Sequence, residues 1–209
     1  ADDDDYYPFD DEDNFLDNAA DYYETNGFKC YYFGGGDDGS MRTGKTTVSV
    51  DGENHNFYFE KSGGNKGAGV TGEKDDKLYQ SGMLLRADSD DKYIVVKKTT
   101  TTDSTTNKKT VTYKKLDDAA DFIDDAGLVD AIGNKTDNES VEIGHVSKKA
   151  KDLKEAYVLD STDTKDGVEY ILVNTSGKVI DSNSKNKDGN DYYYVVKKGG
   201  TIEGVYVED

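Results

Sequence analysis

The chain has no tryptophan, one proline, one cysteine (Cys30) and two histidines, His55 and His145. It also lacks long apolar runs, none exceeding Tyr192–Val196. A membrane-spanning helix needs about 20 mostly apolar residues in succession, so insertion into a membrane is excluded. A lone cysteine makes neither an internal disulfide nor a cysteine-based zinc centre. General-base and nucleophile arrangements draw mainly on histidine, cysteine or paired carboxylates in an apolar pocket. With His55 read as a turn residue between Asn54 and Asn56, and His145 following Gly144 in a polar stretch, no enzyme is expected. Basic residues are absent before Lys29, and no charged n-region with an apolar core opens the sequence at Ala1. That start fits a cytosolic chain or one whose leader has been removed.

Acidic residues are in excess, 44 against 26 Lys and Arg, for a net charge of −18. A protein that grips phosphates needs clustered cations, so nucleic acid and anionic leaflets are excluded as partners. Apolar residues make up 33% of the chain and mean hydropathy is −0.87, too little for one large oily core. Yet aromatics reach 11%, with 16 Tyr and 22 Gly. A disordered chain of this charge would be poor in aromatics. Tyrosine suits half-wet pleated surfaces and glycine supplies positive φ, so the expected class is mainly β, with short strands and tight turns.

Three segments follow. Residues 1–26 form an acidic arm, Asp10 and Asp11 among its charges, with Tyr6, Phe9, Phe15, Leu16, Tyr22 and Tyr23 interleaved. A purely solvated tail has no use for these rings, so the arm is read as one that docks. Residues 27–87 carry aromatic triplets followed by glycine turns: Tyr31-Tyr32-Phe33 before Asp38-Gly39, Phe57-Tyr58-Phe59 before Ser62-Gly63, and Leu78-Tyr79 before Ser81-Gly82. Such spacing marks stacked β-hairpin repeats. Residues 88–209 read as a β-rich meander. Its strands are Glu155–Leu159, Val168–Val173, Lys178–Ile180, Tyr192–Val196 and Thr201–Val207, and its one short helix lies near 117–126, where Ala119, Ala120, Ile123 and Ala126 share a face and Gly127 stops it.

Between Lys92 and Lys115 seven lysines face one acid, Asp103. Lysines of this kind guard a strand edge against unwanted pairing; alternatively Lys97, Lys98, Lys108 and Lys109 receive the acidic arm, through Asp10 and Asp11, of an identical subunit. No cofactor or metal centre is expected. Calcium is the one ion the Asp-rich loops Asp88-Ser89-Asp90-Asp91 and Asp160-Ser161-Thr162-Asp163 suggest, through hard oxygen ligands, although neither follows the EF-hand pattern. Gly39 stands five residues before Gly44-Lys45-Thr46, so this stretch carries the letters of a phosphate loop, but the match is read as a coincidence of a turn.

The run Asn26-Gly27-Phe28-Lys29-Cys30-Tyr31-Tyr32-Phe33, followed by Asp38-Gly39-Ser40-Met41-Arg42-Thr43-Gly44, resembles the cell-wall-binding repeats of Gram-positive surface proteins, of the choline- and glucan-binding type. Weaker copies follow at Phe57-Tyr58-Phe59 with Val70-Thr71-Gly72, and at Leu78-Tyr79 with Met83-Leu84. Cys30, Lys45, Asn56 and Glu73 stand where the family carries tryptophan. The resemblance implies a hairpin solenoid whose apolar seam includes Tyr32, Phe33, Met41, Phe57, Phe59 and Leu84. It also implies a cell-surface or secreted location, and ligand contacts at Phe28, Tyr31, Tyr32, Phe57, Tyr58 and Tyr79. The function expected is a non-enzymatic, structural or adhesive surface protein, attached to wall polysaccharide or teichoic acid or to identical subunits. The alternative is a carbohydrate-binding module of a larger wall hydrolase or glucosyltransferase.

Overall fold

The computed structural model describes residues 12–34, 39–162, 165–181 and 183–209. They divide into two compact units, the first reaching to Leu85 and including Thr100–Lys114, the second made of Arg86–Thr99 and Lys115–Asp209. The fold is mainly β, with two helices and several antiparallel sheets.

In the first unit a helix, α1 (Glu12–Asn26), precedes five strands: β1 (Gly44–Val50), β2 (Glu53–Phe59), β3 (Gly72–Lys74), β4 (Lys77–Gln80) and β5 (Met83–Leu84). They form one sheet in the order β1-β2-β5-β4-β3. Two-residue turns set its register. Val50 pairs with Glu53, Lys74 with Lys77 and Gln80 with Met83. The residues between them, Asp51-Gly52, Asp75-Asp76 and Ser81-Gly82, all hold positive φ, as turns matched to strand twist require. Gly69 passes so close to the turn at Ser81 that a Cβ would lie 2.3 Å from the Ser81 carbonyl oxygen.

Helix α1 was not expected in the acidic arm. Phe15, Leu16, Ala19 and Ala20 recur at helical spacing and are buried, while the acids lie mainly on the opposite face. Gly27, at φ +61, ends it. The core beneath contains Phe57, Phe59, Leu78, Met83 and Leu85. Gln80, fully buried, is satisfied on both sides: its Oε1 accepts from the Tyr113 N–H at 2.8 Å, and its Nε2 donates to Ser81 Oγ at 3.0 Å.

Strands β6 (Tyr93–Thr102) and β7 (Lys109–Leu116) run through both units. The second unit continues with α2 (Ala119–Asp125), β8 (Val129–Asp130), β9 (Ser140–Ile143), β10 (Val146–Lys149), a 3-10 turn at Ala150–Asp152, β11 (Leu153–Val158), β12 (Val168–Asn174), β13 (Asn183–Lys187), β14 (Tyr193–Val196) and β15 (Ile202–Glu208). The sheets run β13-β14-β15-β11-β8, β12-β6-β7 and β10-β9. Helix α2 lies where alanine spacing places it, with the Asp118 carboxylate accepting from the Asp121 N–H at 2.8 Å as its cap. Phe122 carries it onto the core, 5.1 Å from the Tyr170 ring.

Two expectations for this region are corrected. The closing strands are not a simple meander, because β12 leaves to pair with β6 while β11 inserts beside β15. The segment Lys178–Ile180 makes only an isolated bridge, Val179 opposite Val173. The hairpin β9–β10 and strand β13 were not foreseen. Val141 and Ile143 are the only strong apolar alternation in β9, and β13 is wholly polar in sequence.

Candidate functional site

Residues 28–33 alternate in exposure, with Phe28, Cys30 and Tyr32 turned inward and Lys29, Tyr31 and Phe33 outward. Backbone bonds hold this segment on both sides. The Gly69 N–H donates to Cys30 O at 2.7 Å, the Arg42 N–H to Tyr32 O at 2.8 Å and the Gly34 N–H to Ser40 O at 2.9 Å. Phe33 stands antiparallel opposite Met41, which puts their side chains on one face. Tyr31, Phe33 and Met41 are 41%, 59% and 36% exposed, forming an apolar strip on the surface of the first unit.

The inward rings do structural work. Tyr32 stacks on Phe59 with centroids 6.3 Å apart, and Phe59 stacks on Phe57 at 5.7 Å. Tyr58 meets Tyr79 edge to face at 5.8 Å in a cluster with Val70 and Leu84, and the Lys74 ammonium lies 4.9 Å from the Tyr58 ring centroid. Phe28 is half-buried beside Tyr22 at 6.2 Å. Of the six expected ligand-contact residues, Tyr31 is thus the one presented openly. Phe33 and Met41, expected in the apolar seam, face outward instead. The signal for this is the period-two alternation starting at Lys29.

Lys29 also borders a polar groove of about 910 Å3, lined by the end of α1, Asn65, Thr71 and the β6–β7 hairpin loop. Lys108 and Lys109 line it, together with Glu24 and Asp103. The Lys29 ammonium donates to Asn65 Oδ1 at 2.9 Å and the Thr101 hydroxyl to Glu24 Oε1 at 2.7 Å. Backbone N–H groups of Thr106 and Thr105 hold the Asp103 carboxyl below the usual range. The groove therefore offers amide, hydroxyl and mixed-charge groups, and Lys29 in its wall is outward in the same alternation as Tyr31 and Phe33.

Lys97 and Lys98 belong to the second unit, Lys97 pairing with Asp125 at 2.9 Å and Lys98 with Glu169 at 3.8 Å. Asp10 and Asp11 lie outside the described residues, but from the same arm Asp17 pairs with Lys114 of its own chain at 3.7 Å. In the Asp-rich loops, Asp160 Oδ1 accepts from the Thr162 N–H and hydroxyl at 2.8 and 2.7 Å. Asp163 lies outside the described residues, and Asp91 gives its carbonyl oxygen to Gly189.

One histidine departs from the expected setting. His145 lies in the polar turn between β9 and β10, tied to the Glu203 carboxylate through its N–H, at 3.1 Å, and its ring. His55 is not in a turn: it lies within β2 and is buried, because alternation along the strand places it on the same face as Phe57. Among the described residues, three side chains of ligand type converge at Glu12, Glu53 and His55. Also among the described residues, no helix is long and apolar enough to cross a membrane.

No protein-family model, curated protein or solved structure matches the chain.

Proposed function

We propose that the chain is a non-enzymatic cell-surface protein that attaches to wall polysaccharide through its first unit. The observation that carries this reading is the outward strip of Tyr31, Phe33 and Met41, with Lys29, outward in the same alternation, in the wall of the polar groove. Flat rings take the apolar face of a sugar, while Asn26, Asn65, Thr71 and Thr101 provide amide and hydroxyl partners for its hydroxyls. The hairpin resemblance of residues 27–87 supports the same reading. Neutral polymer is favoured over anionic teichoic acid because the chain carries −18. Attachment to polymer is favoured over assembly with identical subunits, since Lys97, Lys98 and Lys114 already pair with acids of their own chain.

The test is co-sedimentation with insoluble Gram-positive wall, before and after extraction of teichoic acid. Binding that survives extraction supports attachment to polysaccharide. Binding lost on extraction moves the ligand to teichoic acid, and no sedimentation with either preparation refutes the proposal.

A further inference from the structure

Strand alternation puts Glu53 and His55 on the same face of β2, two residues apart, with Phe57 next along that face. Helix α1 crosses this face. Its Phe15 packs on Phe57 with centroids 5.6 Å apart, and Glu12, one turn earlier, comes over His55. Glu12 Oε2 lies 3.8 Å from His55 Nδ1, and one ligand atom each from Glu12, Glu53 and His55 falls within 4.8 Å of the other two.

The histidine is the buried member of the three: its side chain is only 8% exposed, and its Nδ1 faces the Glu12 carboxylate at 3.8 Å. The ring is directed toward two carboxylates, at a distance too long for a hydrogen bond and suited to an atom in between.

We propose that Glu12, Glu53 and His55 form a binding site for one divalent cation of the zinc class. One imidazole and two carboxylates are a ligand set for borderline cations, with a fourth position left for water. Calcium and magnesium prefer sites built wholly from oxygen, usually six or more donors. Bonds of about 2.0–2.2 Å bring neighbouring ligand atoms to about 3.4 Å. Glu12 and Glu53 are partly and fully accessible, so their side chains can rotate to close the small remaining gap. Two carboxylates balance the charge of the ion. Bound there, the cation clips the start of α1 to β2.

The experiment is titration of the full chain with zinc chloride alone, by calorimetry and by thermal melting. The expected result is one saturable site and a raised melting temperature, with magnesium and calcium at equal concentration giving neither. Glu53→Gln, an exposed and fold-neutral change, should weaken zinc binding roughly ten-fold or more. His55→Asn should abolish it, and His145→Asn should leave it unchanged. If His55→Asn does not fold, Glu53→Gln decides. Wild-type affinity in Glu53→Gln, several weak equivalent sites, or an equal response to calcium would each show adventitious binding only and overturn the proposal.

Discussion

Phe15 of α1 meets Phe57 of β2 edge to face, with ring centroids 5.6 Å apart and planes at 72°. Phe15 is 4% exposed and Phe57 is 4% exposed, so this pair fastens an otherwise acidic helix to the sheet. Truncation of a buried phenylalanine costs about 3–5 kcal/mol. Phe15→Ala should therefore destabilise the first unit by about 3 kcal/mol and release α1, seen as lost helical ellipticity ahead of the main denaturant transition. Unchanged stability would mean that the helix is not held by this contact.

Gln80 is fully buried and its Oε1 is the acceptor for the Tyr113 N–H. Leucine at this position leaves that donor without a partner, at a cost of about 1–3 kcal/mol. Gln80→Leu should lower the denaturation midpoint. Gln80→Glu, which keeps an acceptor for Tyr113 but adds a buried charge, should be destabilising at neutral pH and recover toward acid pH.

Asp125 receives the Lys97 ammonium at 2.9 Å and the Tyr170 hydroxyl at 2.8 Å. Burial opposes the carboxylate's charge, but the hydrogen bonds from Lys97 and Tyr170, with the Lys97 and Lys165 charges, outweigh it and hold the group below its ordinary 3.8. The unfolded chain then takes up its proton first as pH falls. The stability Asp125 contributes is complete above 3.8 and is lost as pH drops through the lower folded value. Denaturation followed between pH 6 and 2.5 should show a shallower acid decline in Asp125→Asn than in wild type. Parallel curves would refute the assignment.

Burial pushes the Cys30 thiol up to about 11. The thiolate is the reactive form, so labelling by a disulfide reagent at pH 8 should be slow in the folded chain and fast in denaturant. Equal rates would contradict the inward setting of Cys30.

The mainly β class was legible from tyrosine and glycine with almost no proline, and α2 from its alanine spacing and Asp118. Turns were legible where glycine marked them, as at Ser81-Gly82. Asp75-Asp76 performs the same turn without glycine, by aspartate's tolerance of positive φ, a signal that a chain so rich in aspartate hides. Helix α1 was obscured by the acids that cover its outer face, although Phe15, Leu16, Ala19 and Ala20 carry a helical period. In the proposed binding surface, Tyr31 was selected from its motif along with five other rings, but motif membership does not say which way a ring points. Tyr32 turns inward because alternation along an extended segment sends neighbours to opposite faces. The grouping of Glu12 with His55 joins residues 43 positions apart in sequence and follows only from the packing of Phe15 on Phe57.

The most direct measurement of the central claim is a binding isotherm on teichoic-acid-free wall polysaccharide, comparing the wild-type chain with Tyr31→Ala/Phe33→Ala. Both rings are exposed, so the fold should be retained. The account predicts saturable wild-type binding and a loss of roughly ten-fold for each ring removed, about 1.4 kcal/mol apiece. Equal isotherms for the two proteins would contradict it.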